Sequence, residues 1–105
     1  MRRLDTLFRA LADPSRRAIL ERLTRGESAV KDLTARFDIS QPAVSQHLAA
    51  LRGAGLVSER REGRLVYYRV EPRGLRPLID WIAHYQAFWN EHVDRLQALL
   101  KEMDE

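Results

Sequence analysis

The chain is short, mildly basic and free of cysteine, with 105 residues, 18 Lys or Arg, 15 Asp or Glu and a formal net charge of +3 at pH 7. This length suits one domain with a modest hydrophobic core, and without cysteine the chain can form neither a disulfide framework nor a thiolate metal site. No segment resembles a signal peptide or an apolar membrane span, so we expect a soluble cytoplasmic protein with no membrane partner.

The first quarter of the chain predicts two short helices. An apolar stripe with spacings of three and four marks residues 1–12 as the first helix, and its members are Leu4, Leu7, Phe8 and Leu11. Asp13 followed by Pro14 indicates the start of the second helix, because an Asp side chain accepts backbone N–H bonds at an N-cap and proline fits a first turn. Ile19 and Leu23 of this helix are expected to face the core.

Residues 28–55 predict a helix-turn-helix, which is a pair of helices joined by a tight turn. Ser28 is the expected N-cap of the first helix, whose apolar positions are Val30, Leu33 and Phe37. The second helix begins at about Gln41 after the N-cap Ser40, and it ends before Gly55, which suits a left-handed conformation. Its buried stripe consists of Val44, Leu48 and Leu51.

The outer face of this second helix fits the major groove of DNA. It carries only small or hydrogen-bonding side chains, namely Pro42, Ser45, Gln46 and Ala49. Gln bonds an adenine edge in a bidentate manner and Ser bonds either base pair, so we predict base contacts from Gln41, Ser45 and Gln46. The helix end at Ser40 offers backbone N–H groups to a phosphate. His47 lies nearer the buried flank, where packing or a backbone hydrogen bond competes with DNA contact, and a plain polar surface helix is the alternative interpretation.

Residues 57–71 alternate in the manner of a β-hairpin, with Glu62 and Gly63 at its tip. A helix-turn-helix followed by a hairpin is a winged helix. Three arginines flank the tip, where a wing contacts phosphates or the minor groove: Arg60, Arg61 and Arg64. Arg52 of the preceding helix is predicted to contact DNA as well, and a solvated hairpin without DNA contact is the alternative.

Residues 75–103 predict one long helix with a wide apolar face. Apolar side chains step by three and four along it, and those predicted to lie in an interface are Leu78, Ile82, Tyr85, Trp89 and Leu96. Because this face is too large for one edge of a small domain, we expect coiled-coil-like pairing with an identical subunit. The alternative is that the helix folds back on its own domain. Its aromatic residues are interpreted as dimer core rather than as a ligand pocket.

Charge is distributed unevenly along the chain. Residues 1–76 hold 16 Lys or Arg and 9 Asp or Glu, whereas residues 77–105 hold 2 and 6. The basic part of the chain is therefore the part in which DNA contact is predicted. Because an arginine-rich composition also accompanies high-GC genomes, the position of each arginine carries more weight than the number of arginines.

Three segments stand in an order that is typical of a known family: ALADPSRRAILERL at residues 10–23, SQPAVSQHLAALRGAGLV at 40–57 and EGRLVYYRV at 62–70. The chain resembles ArsR/SmtB-type winged-helix repressors, strongly over its first three quarters and by architecture over the last. The resemblance implies a homodimer that binds a pseudo-palindromic operator in double-stranded DNA and releases it when an effector binds. It also places the first helix in the dimer interface, with Leu4, Leu7 and Phe8 as contacts.

The resemblance also indicates what a metal-sensing relative needs. Such relatives carry a cysteine pair on the helix that corresponds to residues 30–37, or Asp and His ligands in a set pattern on the terminal helix. The cysteine pair is absent, which argues against arsenic, lead or cadmium sensing. Asp80, His84 and Glu91 can share a helix face but do not reproduce the family spacing, so we expect no metal and no cofactor, and a zinc or nickel site across a dimer is the alternative. The effector is not identified by the sequence.

Catalysis is not expected of this chain. Ser45 and His47 are about 200° apart around their helix, and Ser40 and His47 are about 10 Å apart along it, so neither pair can act as nucleophile and base. The five glycines lie singly and form no phosphate-binding loop.

These observations predict a mainly α protein with a small β-hairpin, namely a winged helix-turn-helix of about five helices and a two-stranded wing in one domain of residues 1–105. Dimer helices at 1–12 and 75–103 flank the helix-turn-helix at 28–55 and the wing at 57–71. The predicted function is a homodimeric, sequence-specific DNA-binding regulator that represses its own or a neighbouring operon. A winged-helix module for protein or RNA contacts, without operator specificity, is the alternative.

Overall fold

The computed structural model describes residues 2–104, which form six α-helices, one turn of 3-10 helix and a small antiparallel sheet. The helices are α1 (Arg2–Leu11), α2 (Pro14–Leu23), α3 (Val30–Phe37), α4 (Gln41–Gly53), α5 (Arg76–His84) and α6 (Gln86–Asp104). The strands are β1 (Ser28–Ala29), β2 (Val57–Glu62) and β3 (Leu65–Val70), and the 3-10 turn is Pro72–Leu75. The mainly α winged helix-turn-helix is confirmed. Met1 and Glu105, which the predicted bounds include, lie outside the described residues.

The helix starts and stops within residues 13–55 follow local side-chain chemistry. Asp13 accepts hydrogen bonds from the backbone N–H groups of Ser15 at 2.8 Å and Arg16 at 3.2 Å, and Ser40 accepts one from Ala43 at 3.2 Å. Helix α4 ends in a Schellman motif, in which Gly55 has a φ of +77° and the N–H of the next residue bonds back to Leu51 at 3.0 Å. These two N-caps and this stop confirm the predictions.

The sheet has one strand more than the predicted wing. Strand β1 pairs with β3 through Ser28 and Tyr68, so the strand order is β1-β3-β2. The prediction that Ser28 caps α3 is wrong, because its backbone belongs to this sheet and its hydroxyl donates to the carbonyl of Ala29. Glu62 pairs with Leu65, which places the two-residue tip at 63–64, one position later than predicted.

The core lies where α1–α4 meet the start of the wing. Its largest fully buried side chains come from all four helices and the residues that lead into β2: Leu7, Ile19, Leu33, Val44, Leu48, Leu51 and Leu56. The apolar stripes predicted for α2, α3 and α4 are therefore the faces that pack together. This packing holds α4 with its opposite face toward solvent.

The single long C-terminal helix that the sequence predicts is two helices. Tyr85 has a φ of −106° and a ψ of +6°, and it separates α5 from α6. Nothing in the sequence signals this break, since residues 78–104 contain no glycine or proline. Every residue from 79 to 104 is exposed, so α6 does not fold back on its own domain, whereas α5 contacts α1. Among residues 2–104, no helix combines the length and the apolar composition that a bilayer crossing requires.

Candidate nucleic-acid interface

Helix α4 has one side in the core and one side in solvent. The three apolar side chains of its buried stripe are completely inaccessible to solvent. On the opposite side five side chains are exposed, as the sequence predicts, and these are Gln41, Pro42, Ser45, Gln46 and Ala49. This face carries small or hydrogen-bonding side chains, and it contains no large apolar residue that would prevent close approach to a base-pair edge.

A cleft of about 250 Å³ lies between α4 and the wing. Gln41 and Ser45 line it from α4, Arg61 and Arg64 line it from the wing, and Lys31 lines it from the first turn of α3. All three cations are exposed, and none of them forms an ion pair or a side-chain hydrogen bond with another residue of the described chain. A concave surface with three unpaired cations attracts phosphate groups.

Lys31 is the member of this cleft that the sequence analysis missed. It reaches the cleft because β1 ends at Ala29, which pairs with Tyr67 of β3 and so brings the start of α3 against the wing. Only strand β1 could have indicated the position of Lys31 from the sequence. Its two residues are too few for a recognisable pattern of alternation.

Arg60 contacts carboxylates of its own chain. Its guanidinium bonds Glu27 (Nη2 to Oε1, 2.5 Å) and Glu62 (Nη1 to Oε2, 2.7 Å), and it lies over the ring of Tyr67 at 4.6 Å from the centroid. The hydrogen bond with Glu27 raises the pKa of Arg60, and the same bond lowers the pKa of Glu27. Arg60 therefore ties β2 to the segment that leads into β1.

Arg52 is also paired, in its case with the wing. Its Nη1 lies 3.0 Å from Oε2 of Glu59, and the hydroxyl of Tyr68 donates to the same oxygen at 3.0 Å. Burial and, after it, this hydrogen bond raise the pKa of Tyr68, so the hydroxyl remains a donor. The Arg52 side chain is still 50% exposed. Arg52 therefore joins the last turn of α4 to β2, and half of its side chain remains in solvent.

His47 is half-buried and faces α2. Its Nδ1 accepts a hydrogen bond of 3.3 Å from Nε of Arg16. The backbone N–H of Arg16 in turn donates to Asp13, and this bond is the largest cause of the lowered pKa of the Asp13 carboxyl. Of the two possibilities that the sequence leaves open for His47, the structure thus favours the internal contact. That contact joins α4 to α2 next to Gln46.

The side chains predicted to lie in a dimer interface divide into three groups by their exposure. Five of them are 40–54% exposed, and these are Phe8, Ile82, Tyr85, Trp89 and Leu96. Leu4 and Leu78 are half-buried, whereas Leu7 is 1% exposed because it belongs to the core of its own chain. The ring of Phe8 packs edge to face on Trp81 with centroids 5.6 Å apart, so α1 and α5 form one continuous apolar surface.

The three residues weighed as metal ligands have other partners. Asp80 bonds Arg76 at 3.0 Å and Glu91 bonds Arg95 at 2.6 Å, while the ring of His84 packs on that of Tyr85. The break at Tyr85 also places Glu91 on a different helix from Asp80 and His84. Within residues 2–104, no three His, Asp or Glu side chains lie close enough together to hold a metal ion.

Comparisons with known proteins agree with this arrangement. A family model described as "Bacterial regulatory protein, arsR family" matches residues 13–59, which include the whole helix-turn-helix. The chain is similar to the transcriptional repressor SdpR of Bacillus subtilis, with 34% identity over 82 residues that cover 78% of this chain and 91% of the relative. It is also similar to the arsenical resistance operon repressor of Escherichia coli, with 36% identity over 99 residues that cover 92% and 81%.

The three-dimensional fold is also similar to that of a solved regulator structure. An ArsR-like transcriptional regulator from Rhodococcus sp. RHA1 superimposes on the chain with a TM-score of 0.73 and 29% sequence identity, covering 92% of each chain. The relatives and the solved structure are regulators of transcription, which is the class of protein that the exposed α4 and its neighbouring cations indicate.

Proposed function

Because the chain belongs to the ArsR family of bacterial regulatory proteins, it is a DNA-binding transcriptional regulator and not an enzyme, and we propose that it acts as a homodimeric, sequence-specific repressor of its own or a neighbouring operon. The observation that carries the proposal is the cleft in which uncharged hydrogen-bonding groups of α4 lie beside Lys31, Arg61 and Arg64. Such a surface combines base readout with phosphate binding. The place of action in this proposal is the cytoplasm, where the bacterial chromosome lies.

In the proposed complex α4 enters the major groove. Gln41, Ser45 and Gln46 face base edges, and the N-terminal turn that begins at Ser40 and contains Pro42 approaches a phosphate with its unpaired N–H groups. Phosphates on the flanking backbone bind Lys31, Arg61 and Arg64, and the exposed part of Arg52 adds a further contact. His47 and Arg60 act indirectly, because their internal hydrogen bonds hold α4 and the wing in place.

The apolar surface of α1, α5 and α6 supports the homodimer. Large apolar side chains remain 40–72% exposed along it, from Phe8 on α1 to Met103 near the end of α6. A monomer rarely leaves so extensive an apolar face in water. The occupant that we propose is a second copy of the chain, because two amphipathic helices of the same sequence can cover each other about a two-fold axis. Leu7 is left out of the proposed contacts, since it does not reach this surface.

A two-fold dimer also explains how two short recognition helices reach one operator. Copies of α4 bind successive major grooves when their centres are about 34 Å apart, which is one turn of B-DNA. An operator of pseudo-palindromic sequence then matches the symmetry of the protein.

The first test is a fluorescence-anisotropy titration of the protein with the duplex from upstream of its own gene and with a scrambled duplex of equal length. We expect the upstream duplex to bind about a thousandfold more tightly or better at near-physiological salt. If both duplexes bind equally and with a steep salt dependence, sites selected from the whole genome are titrated next. The same unspecific binding to those sites would favour the winged-helix module for protein or RNA contacts.

Replacement of one base-reading side chain tests the orientation of α4. Gln46→Ala is expected to reduce the preference for the operator over single-base variants by about 1–3 kcal/mol at one base pair, because a bidentate contact is lost. Gln97→Ala, an exposed glutamine of α6, is the matched control and should leave the preference unchanged. An unchanged preference in both variants would exclude Gln46 from base readout.

A further inference from the structure

A groove lies where the DNA-binding half of the chain joins its C-terminal helices. Its volume is about 510 Å³, which is typical of small-molecule sites, and its walls are the first turns of α1, the end of α4 and the segment 71–77. A second depression of about 550 Å³ shares Arg3, Arg73 and Pro77 with it and extends along α5 to Trp81. The two arginines and Pro77 therefore lie where the two depressions meet.

The floor of the groove is a contact between two backbone segments. A Cβ atom at Gly74 would lie 2.0 Å from the carbonyl oxygen of Gly55, so only glycine permits the crossing. The N–H of Glu71 bonds the carbonyl of Leu56 at 2.8 Å and fixes it. Because Gly55 follows α4 and Gly74 precedes α5, an occupant of the groove lies against both sides of the joint.

The charges of the groove select an anion. Arg3 and Arg73 are exposed and form no ion pair or side-chain hydrogen bond within residues 2–104. Arg76 pairs with Asp80 at 3.0 Å, and the Glu71 carboxylate pairs with Arg69 at 3.6 Å and accepts a hydrogen bond from the hydroxyl of Ser58 at 2.7 Å. Two guanidinium groups therefore remain without a counter-charge, and a guanidinium binds a carboxylate through paired hydrogen bonds.

The remaining walls combine polar side chains, such as Thr6 and His84, with apolar ones. Leu7 and Ala54 line the first depression, while Leu4 and Trp81 line the second, and Pro77 lies in both. We propose that this groove binds a small organic carboxylate with an aromatic or aliphatic body, whose carboxylate pairs with Arg3 and Arg73 while its body lies against Pro77 and Trp81. The site stands on this geometry alone; its effect on DNA binding rests on the proposed function.

The binding test uses 1-naphthoate as the probe and the glycine amides as reporters in NMR spectra of the full chain. Three of the five glycines, Gly53, Gly55 and Gly74, line the groove, whereas Gly26 and Gly63 lie in turns elsewhere. We expect the three groove amides to shift along one saturable curve and the two others to stay in place. The absence of such shifts, for example because acidic side chains of a second copy already occupy the arginines, would overturn the proposal.

Two comparisons separate the parts of the proposed ligand. On the unmodified protein, 1-naphthalenemethanol lacks the charge and inorganic phosphate lacks the apolar body, so each should bind at least tenfold more weakly than 1-naphthoate. The double variant Arg3→Gln/Arg73→Gln should lose 1-naphthoate binding, whereas Arg25→Gln, an exposed arginine just after α2, should retain it. Equal binding of the neutral alcohol or of phosphate, or retained binding in the double variant, would overturn the assignment.

The regulatory step is tested separately, by anisotropy of the operator complex with and without saturating 1-naphthoate. We expect the operator affinity to change by about fivefold or more, which is the lower range of coupling between two sites on one protein. If the glycine amides shift while the operator affinity is unchanged, the groove binds its ligand but does not regulate. If the protein binds no operator at all, the proposed function fails and the NMR result still decides the site.

Discussion

Neighbouring arginines of the wing differ in what they contact, although they look alike in the sequence. Successive side chains of a strand point to opposite faces, so Arg60 lies on the face of Tyr67 and Glu27 while Arg61 lines the cleft beside Lys31. The alternation is predictable from the sequence. The face that faces a carboxylate cannot be predicted from the sequence, because Glu27 is 33 positions from Arg60 and reaches it only through the sheet.

This difference predicts contrasting effects of two charge-removing substitutions. Arg64→Gln should weaken binding to every duplex and reduce the slope of log affinity against log salt by about one, because one phosphate contact is lost. Arg60→Gln should instead lower the stability of the wing and leave the salt slope near its original value. Anisotropy titrations at several salt concentrations measure both slopes. Equal reductions in the two variants would show that Arg60 also contacts phosphate.

The N-cap of α2 predicts a dependence of stability on pH. The backbone hydrogen bonds to Asp13 lower the pKa of its carboxyl from the ordinary value of 3.8, so this group stabilises the fold above that pH and loses its contribution as the pH falls through the lowered value. Asp13→Ala should therefore lower the Tm at pH 7 and have a smaller effect near pH 3. Asp13→Asn, which keeps the acceptor, should lower the Tm less. A pH-independent difference between wild type and Asp13→Ala would contradict this account.

At the scale of the elements, most predictions that depend on neighbours in the sequence are confirmed, and the exception is the cap expected at Ser28, which lies in β1 instead. The caps at Asp13 and Ser40 and the glycine stop after α4 lie within a few residues of the atoms that they satisfy, and all three are as predicted. Strand β1 depends on pairing with a distant segment of the chain. The break at Tyr85 is a local change of backbone geometry that has no signal in the sequence. Lys31 was missed because the pairing of β1 is what brings it to the cleft. The exposed face of α4 was predicted correctly, because it follows from residue spacing within one helix.

The crossing at the end of α4 predicts opposite effects for two glycine substitutions. Gly74→Ala should destabilise the protein, because its Cβ would lie 2.0 Å from a backbone oxygen that no rotamer change can move. Gly53→Ala, at the last residue of α4 with no atom within 4 Å of the new Cβ, should be neutral or stabilise by up to about 1 kcal/mol through helix propensity. Urea unfolding measures both. A Gly74→Ala variant as stable as wild type would show that the two backbones separate easily.

At the scale of the whole molecule, the described chain is elongated, with extents of 60 × 32 × 20 Å. The compact part holds α1–α4 and the sheet, and α6 contacts α5 while its own side chains stay in solvent. Helix α6 carries four Asp or Glu and two Lys or Arg, so the surface proposed to pair is separated from the surface proposed to bind phosphate. Such a division lets dimerisation proceed without competing with DNA for the same residues.

Two neighbouring substitutions test the dimer. Leu96→Glu should convert the dimer to a monomer in light scattering at micromolar concentration and lower operator affinity by about tenfold or more, because the two recognition helices no longer bind together. Gln97→Glu adds the same charge one position along and should remain dimeric. The unmodified protein is expected at twice the 12.2 kDa of one chain. A monomer in the unmodified sample would remove the dimer from the proposal.

The exposed face of residues 79–104 has a consequence for the life of the protein in the cell. A newly made subunit without a partner displays a long apolar segment, which is the kind of feature that proteases and chaperones engage, whereas a paired subunit hides it. Surplus single chains should therefore be degraded faster than dimers. The steady-state amount of active regulator would then be limited by turnover as well as by the rate of its own synthesis.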